Sequence, residues 1–169
     1  MKKILFALFI FAGITTYAQS DSNSNPLKKG SWIIEANTGS WSTGSTAFSL
    51  TSADGYTIYS VGTEGGYFVA DNLAIKVGLG YSGGDIVGTF SYKAGLKYYV
   101  IDKIPLGLDY TGISSDGYGT SSWLGIQAGY ALFVANNVSI EPTLRYNATF
   151  DKNQSDSAFQ ALIGFVFHF

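Results

Sequence analysis

From Ser31 to Phe169 apolar and polar residues alternate, in eight separate runs: about 31–41, 56–70, 73–81, 86–100, 104–111, 121–134, 138–150 and 158–169. The last run shows the pattern most plainly. Phe159, Ala161, Ile163, Phe165, Phe167 and Phe169 share one face, and Ala158, Gln160, Leu162, Gly164, Val166 and His168 the other. In run 138–150 Val138, Ile140, Pro142, Leu144, Tyr146, Ala148 and Phe150 oppose Ser139, Glu141, Thr143, Arg145, Asn147 and Thr149. A period of two is the signature of a β-strand whose two faces meet different surroundings. Eight strands therefore follow, and the chain reads as all-β. Pro142 interrupts its strand, because proline removes a ladder hydrogen bond, and implies a bulge or a local kink.

Tight connections alternate with longer ones. Three tight turns repeat one pattern: Phe68-Val69-Ala70-Asp71-Asn72, Tyr99-Val100-Ile101-Asp102-Lys103 and Phe133-Val134-Ala135-Asn136-Asn137. Between them lie Gly-, Ser- and Asp-rich stretches at 42–55, 82–85, 112–120 and 151–157. The repeating unit is thus a hairpin, and the expected sheet is antiparallel.

Composition decides which face points inward. Only 13% of residues are charged, against 46% hydrophobic and 16% aromatic. A water-soluble domain usually carries about 25% charged residues. The polar faces are rich in glycine (Gly62, Gly66, Gly78, Gly80, Gly95, Gly107, Gly125, Gly129, Gly164) and make a poor water-facing surface. They suit the narrow interior of an eight-stranded barrel, which side chains just fill. The apolar set, with Trp32, Tyr59, Tyr67, Tyr81, Phe90, Tyr92, Tyr98, Tyr110, Tyr130, Tyr146 and Phe150, then faces lipid, with aromatics near the strand ends.

Residues 1–18 read as a cleaved signal peptide. Lys2 and Lys3 precede an apolar run, and Thr16-Tyr17-Ala18 is a cleavage site. The run falls short of the roughly 20 residues of a spanning helix. Residues 19–30 read as a flexible lead-in and 31–169 as the barrel domain.

Candidate chemistry is sparse. No cysteine is present, which excludes disulfides and thiolate chemistry. A net charge of -2 excludes a basic footprint for nucleic acid. Gly78-Leu79-Gly80-Tyr81-Ser82-Gly83 matches a dinucleotide fingerprint, but no helical period follows, so these are strand and loop glycines. Asn147-Ala148-Thr149 matches a glycosylation sequon inside a strand and is discounted. His168 is the lone histidine; a catalytic or metal site would need converging partners, and at the short-turn end it reads as an interior or interfacial polar residue. Asp54, Asp85, Asp116, Asp151 and Asp156 are spread over four loops without metal-ligand spacing and read as solvated turn residues. No cofactor, metal or catalytic residue is expected. The informative charges are Glu35, Glu64, Asp109 and Glu141 with Lys76, Lys93, Lys97 and Arg145. All take interior positions and their signs balance. They read as an internal salt-bridge network rather than a conduit. Arg145 is expected as its hub, serving two carboxylates with Glu141 two residues away and Gln127 and Gln160 as neutral neighbours. Phe68, Tyr99 and Phe133 are expected to point inward and narrow the tight-turn end.

The aromatic closing strand ending on Phe169 resembles the terminal strand of bacterial outer-membrane β-barrels. As a whole, residues 31–169 resemble the small eight-stranded OmpA/OmpX type. The resemblance implies an antiparallel transmembrane β-barrel with short periplasmic turns and longer extracellular loops, in the bacterial outer membrane. It implies that Phe165, Phe167 and Phe169 form an assembly signal read by the barrel-assembly machinery. It implies outer-membrane lipids and lipopolysaccharide as surroundings, and a monomer. The expected role is non-enzymatic, in envelope structure or surface interaction, with the lumen plugged. The alternative is a narrow porin-like or OmpW-like route for small or apolar solutes.

Overall fold

The computed structural model describes residues 25–38, 48–53, 55–117, 119–150 and 152–169. They form ten strands: β1 (Trp32–Asn37), β2 (Ser49–Ala53), β3 (Tyr56–Ala70), β4 (Leu73–Gly84), β5 (Thr89–Val100), β6 (Ile104–Ser115), β7 (Gly119–Gly129), β8 (Leu132–Ala135), β9 (Val138–Thr149) and β10 (Ala158–His168). All pairings are antiparallel. The order β1-β10-β9-β7-β6-β5-β4-β3 closes through β1 pairing with β3. Two strands add no stave of their own. β2 takes the same edge of β3 as β1 but higher up, and β8 continues β7 along β9. The result is a closed antiparallel barrel of eight staves, as the alternation predicts.

Strand β2 falls in a stretch read above as loop. Ser49–Ala53 has no apolar alternation, and all of its residues are exposed. It is a strand because Gly55, at a φ of 84°, turns the chain back onto β3, whose edge is open there. Residues 39–47, which include the end of the first run and part of its loop, lie outside the described residues, as do residues 1–24.

The alternation about Pro142 resolves physically. Tyr130 N–H donates to Pro142 O at 3.1 Å, so the proline nitrogen faces the same neighbour and offers it no hydrogen. The stave breaks there into β7 and β8, at Tyr130 and Ala131. Ala131 N–H points to the other neighbour and donates to Lys103 O at 2.7 Å, in phase with the β6–β7 register. Register is unchanged across the break, since Gly129↔Thr143 and Leu132↔Ile140 are in phase. Pro142 therefore marks a local break without a bulge. The register shifts lie elsewhere, between Phe68 and Ala70 and between Phe133 and Ala135.

Residues 71–72, 101–103 and 136–137 connect strands at one end, where β1 also starts and β10 finishes. Asn72, Ile101 and Asp102 adopt positive φ there. Lys103 N–H donates to Val100 O, closing a two-residue turn whose twist suits a hairpin. Residues 85–88, 116–118 and 150–157 connect strands at the other end.

The barrel is apolar outside. Val77, Leu79, Leu96, Leu108, Ile126, Leu144 and Ile163 are all exposed. Trp32 packs on Tyr67, with centroids 4.9 Å apart, near the tight-turn end. Tyr59 with Tyr81, and Phe90, Tyr92, Tyr110 and Phe150 in succession, line the opposite rim. Soluble monomers rarely expose apolar patches beyond a few hundred Å². Strands β4, β5, β6 and β9 have 12 residues each, enough for the 9–11 that a tilted strand needs to cross a bilayer. This surface is suited to hydrocarbon. Leu108→Arg, at mid-height on the outside, should therefore cost about 2–4 kcal/mol of folding stability in bilayers. A denaturant titration in lipid vesicles giving no change would place that face in water.

Candidate functional site: the lumen

Inward residues are set by the same alternation, and cross-strand register decides which of them meet. One row reads Gly66, Lys76, Gly95, Asp109, Gly125, Asn147 across β3, β4, β5, β6, β7 and β9. A second reads Glu64, Gly78, Lys93, Thr111. Each charged side chain in these rows thus has a glycine beside it. A Cβ at Gly95 would strike Asp109, one at Gly125 the Arg145 guanidinium, and one at Gly107 the Gln127 side chain 2.5 Å away. The interior glycines are the space into which long polar side chains lie flat.

Six of the eight expected charges form one chain of alternating sign. Glu141 meets Lys97 at 2.5 Å, Lys97 meets Glu35 at 2.7 Å, Glu35 meets Lys76 at 2.6 Å, Lys76 meets Glu64 at 2.7 Å, and Glu64 meets Lys93 at 2.7 Å. Three acids and three bases leave no net charge. The chain links β9, β5, β1, β4 and β3, and so crosses the lumen. At its Glu141 end, Tyr99 OH donates to Oε1 at 2.8 Å and Ser139 Oγ–H donates to the same oxygen at 2.9 Å. The Lys97 ammonium lies 5.3 Å from the centroid of the Tyr99 ring, close enough for a cation–π contact.

Arg145 is not part of this chain. It takes one carboxylate rather than two. Its Nη1 donates to Asp109 Oδ2 at 2.5 Å and its Nη2 to Asp109 Oδ1 at 2.6 Å, a bidentate fork. Nη1 also donates to Gln127 Oε1, Nη2 to Thr111 Oγ1, and Nε to Asn147 Oδ1. All five guanidinium hydrogens thus have acceptors. Gln160 joins through Asn147 Nδ2, which donates to its Oε1 at 2.7 Å. Glu141, expected as Arg145's partner, turns to Lys97 and Tyr99. The guanidinium instead lies over Gly125, which faces Asp109 across the ladder. A void of about 10 Å³, bounded by Glu64, Lys76, Lys93, Asp109 and Gln127, separates the two groups. That is about the space of one water molecule.

Phe68 and Tyr99 are fully buried, with centroids 6.1 Å apart. Phe133 stacks on His168 at 5.3 Å but remains 37% exposed at the mouth. His168 Nε2 and Ser139 Oγ are 3.1 Å apart. Together with Glu141 they share the residue types of a hydrolytic triad but not its order, since the carboxylate bonds the serine and not the imidazole. All three are buried. At the opposite end Trp123, buried, donates from Nε1 to Asp156 O at 3.0 Å. Asp85 Oδ2 accepts from Thr57 N–H at 2.6 Å, a turn role. Asp54 and Asp151 lie outside the described residues. Among the described residues no group of three or more His, Cys, Asp and Glu side chains has metal-site geometry. Phe165 and Phe167 point outward, 45% and 44% exposed, and Phe169 exchanges two backbone hydrogen bonds with Trp32.

No protein-family profile matches the sequence, and no curated protein matches it. Solved structures do match in shape. The N-terminal β-barrel domain of Pseudomonas aeruginosa OprF superposes with a TM-score of 0.54 at 17% identity, over 83% of this chain and 98% of that one. The Yersinia pestis outer membrane protein Ail, determined in a phospholipid bilayer nanodisc, gives 0.51 at 13% identity, over 83% of this chain and all of that one (100%). The fold is that of a small transmembrane β-barrel.

The pairing in this barrel gives a direct test. Arg145→Ala leaves the Asp109 carboxylate buried and unpaired and should lower stability by about 3–5 kcal/mol. Adding Asp109→Ala should recover much of that loss, so the two changes are strongly non-additive. A double-mutant cycle giving simple additivity would mean that the fork contributes no coupling.

Proposed function

We propose that this chain is a non-enzymatic integral protein of the bacterial outer membrane, serving envelope structure or surface interaction, with a lumen plugged by paired charges. The observation that carries the reading is the six-member chain of ion pairs across the interior, with the Arg145–Asp109 fork beside it. Paired charges in so narrow a space offer a hydrated ion no continuous water path, and the void between the ion-pair chain and the fork is about 10 Å³. The apolar outer belt and the shape shared with OprF and Ail support the membrane assignment. In this reading residues 1–18 are the cleaved signal peptide and the tight turns face the periplasm. Outer-membrane lipids and lipopolysaccharide surround a monomer.

The purified protein should migrate differently on gels before and after heating and give no steady conductance in planar bilayers. Large, stable channels would overturn the plug and move the narrow transport route to first place.

The closing strand supplies a second test. Phe169, with Phe165 and Phe167 on the same strand face, is proposed to serve recognition by the barrel-assembly machinery. Deleting Phe169 should reduce membrane insertion more than deleting Ser155 from a connecting segment, as read by membrane fractionation. Equal levels for the two deletions would remove that role.

A further inference from the structure

Residues 25–31 do more than lead into β1. Asn25 Oδ1 accepts from Leu27 N–H at 3.0 Å, starting a turn that Lys28 N–H and Ser31 N–H continue. Gly30, at a φ of 94°, then redirects the chain into β1. The turn is fastened to the connection between β3 and β4. Asn72 N–H donates to Leu27 O at 2.7 Å, Gly30 N–H to Phe68 O at 2.9 Å, Phe68 N–H to Ser31 O at 2.9 Å, and Lys29 N–H to Asp71 Oδ1 at 2.9 Å. This geometry swings Leu27 over the mouth of the barrel, where it is only 1% exposed. Beneath it lie Ile33, Phe68, Ala74, Tyr99, Ala131 and Val166 in one apolar cluster. These four bonds lie on one flank, and the Pro26 backbone also meets the His168 ring of β10. On the other flank a cleft of about 470 Å³ runs between Asn25, Pro26 and Leu27 and the opposing Lys103, Phe133 and Asn136.

We propose that residues 25–31 are a stopper with Leu27 as its tip. It closes the tight-turn mouth over this buried chamber, whose apolar side chains pack against the His168 ring, and so forms a second seal in series with the charge chain. The inference rests on the closed-lumen reading but concerns a different barrier at a different depth. Apolar side chains packed without polar partners exclude water by a mechanism that does not depend on charge pairing. The stopper also keeps water from His168, Ser139 and Glu141, which lie at the same end of the lumen.

The sequence has no cysteine, so a single introduced thiol reports access without background. Ala74→Cys and Val166→Cys each place one in the chamber, and Lys28→Cys places one on the stopper's exposed side. The probe is methyl methanethiosulfonate, small and neutral, applied to the folded barrel in nanodiscs. With Leu27 in place, the chamber thiols should react at least about tenfold more slowly than the thiol at position 28, since reaction awaits local opening. Leu27→Gly should raise both chamber rates by at least about tenfold, and Leu27→Ala should raise them less, following the volume removed. Conductance should stay at baseline throughout, because the charge chain is untouched. Gel mobility before heating identifies the barrels that have closed, and rates are read on those. Chamber rates that match position 28 in the unaltered background, or that ignore both changes at Leu27, would overturn the stopper. Steady conductance from the unaltered protein would instead overturn the plugged lumen, and the labelling comparison would still decide the stopper.

Discussion

Everything inside this barrel follows from one constraint: charges withdrawn from water must find partners within a tube only side chains wide. An unpaired buried charge costs several kcal/mol, whereas a well-made pair roughly offsets its own desolvation. The eight expected charges therefore meet as complete pairs or not at all. Register makes the meeting possible. Across β4, β5, β6 and β7 the inward row runs Lys76, Gly95, Asp109, Gly125, so each long side chain lies down over a residue that has none. Glycine weakens a strand locally. Here it is the condition for pairing, since a Cβ at Gly125 would displace the guanidinium of Arg145.

The outer face obeys the opposite rule and needs no register to do so. Any apolar side chain satisfies lipid, so the period-two pattern alone suffices there. This difference explains what was legible in the sequence. The number of staves, the antiparallel order, the inverted faces and the set of eight inward charges could all be read, because parity along each strand, the repeated turns and the composition suffice for them. The partners could not. Arg145 and Glu141 are two residues apart on one face, which made them look like a pair. Their actual partners, Asp109 on β6 and Lys97 on β5, depend on how far neighbouring strands are staggered. Stagger is set by turns and by barrel closure, and neither leaves a mark in the alternation.

Two local features were hidden for related reasons. β2 lacks alternation because neither of its faces is buried, and it exists only because β3 offers an open edge. Leu27 sits in a polar stretch, where one apolar residue carries no periodic signal. Its burial comes from three features acting together: an Asn25 side chain that starts a turn, a glycine at positive φ, and a β3–β4 connection whose backbone groups bind the turn. Pro142 is the converse case. The sequence announced a disturbance but not its form, because a bulge and a break differ only in what the neighbouring stave does. The neighbour breaks at Tyr130, while its next amide, that of Ala131, bonds Lys103 in the adjoining β5–β6 turn, in phase with the β6–β7 register.

The lumen is consequently layered by chemistry. At the tight-turn end it is apolar, from Leu27 through Phe68, Tyr99 and Val166. Next comes the chain from Glu141 through Lys97 and Glu35 to Lys93, and beside that the neutral-rimmed fork of Arg145 and Asp109. The layers respond to different perturbations. Dispersion and water exclusion hold the first, so it is insensitive to ionic strength. Coulombic pairing and hydrogen bonds hold the others, and they are shielded from salt only while bulk water is kept out. Tyr99 joins the two regimes, with its ring in the apolar cluster and its hydroxyl on Glu141. Water admitted at the mouth would reach that hydroxyl first and then the pair of Glu141 with Lys97. The apolar layer thus preserves the low-dielectric setting on which the strength of the charge chain depends.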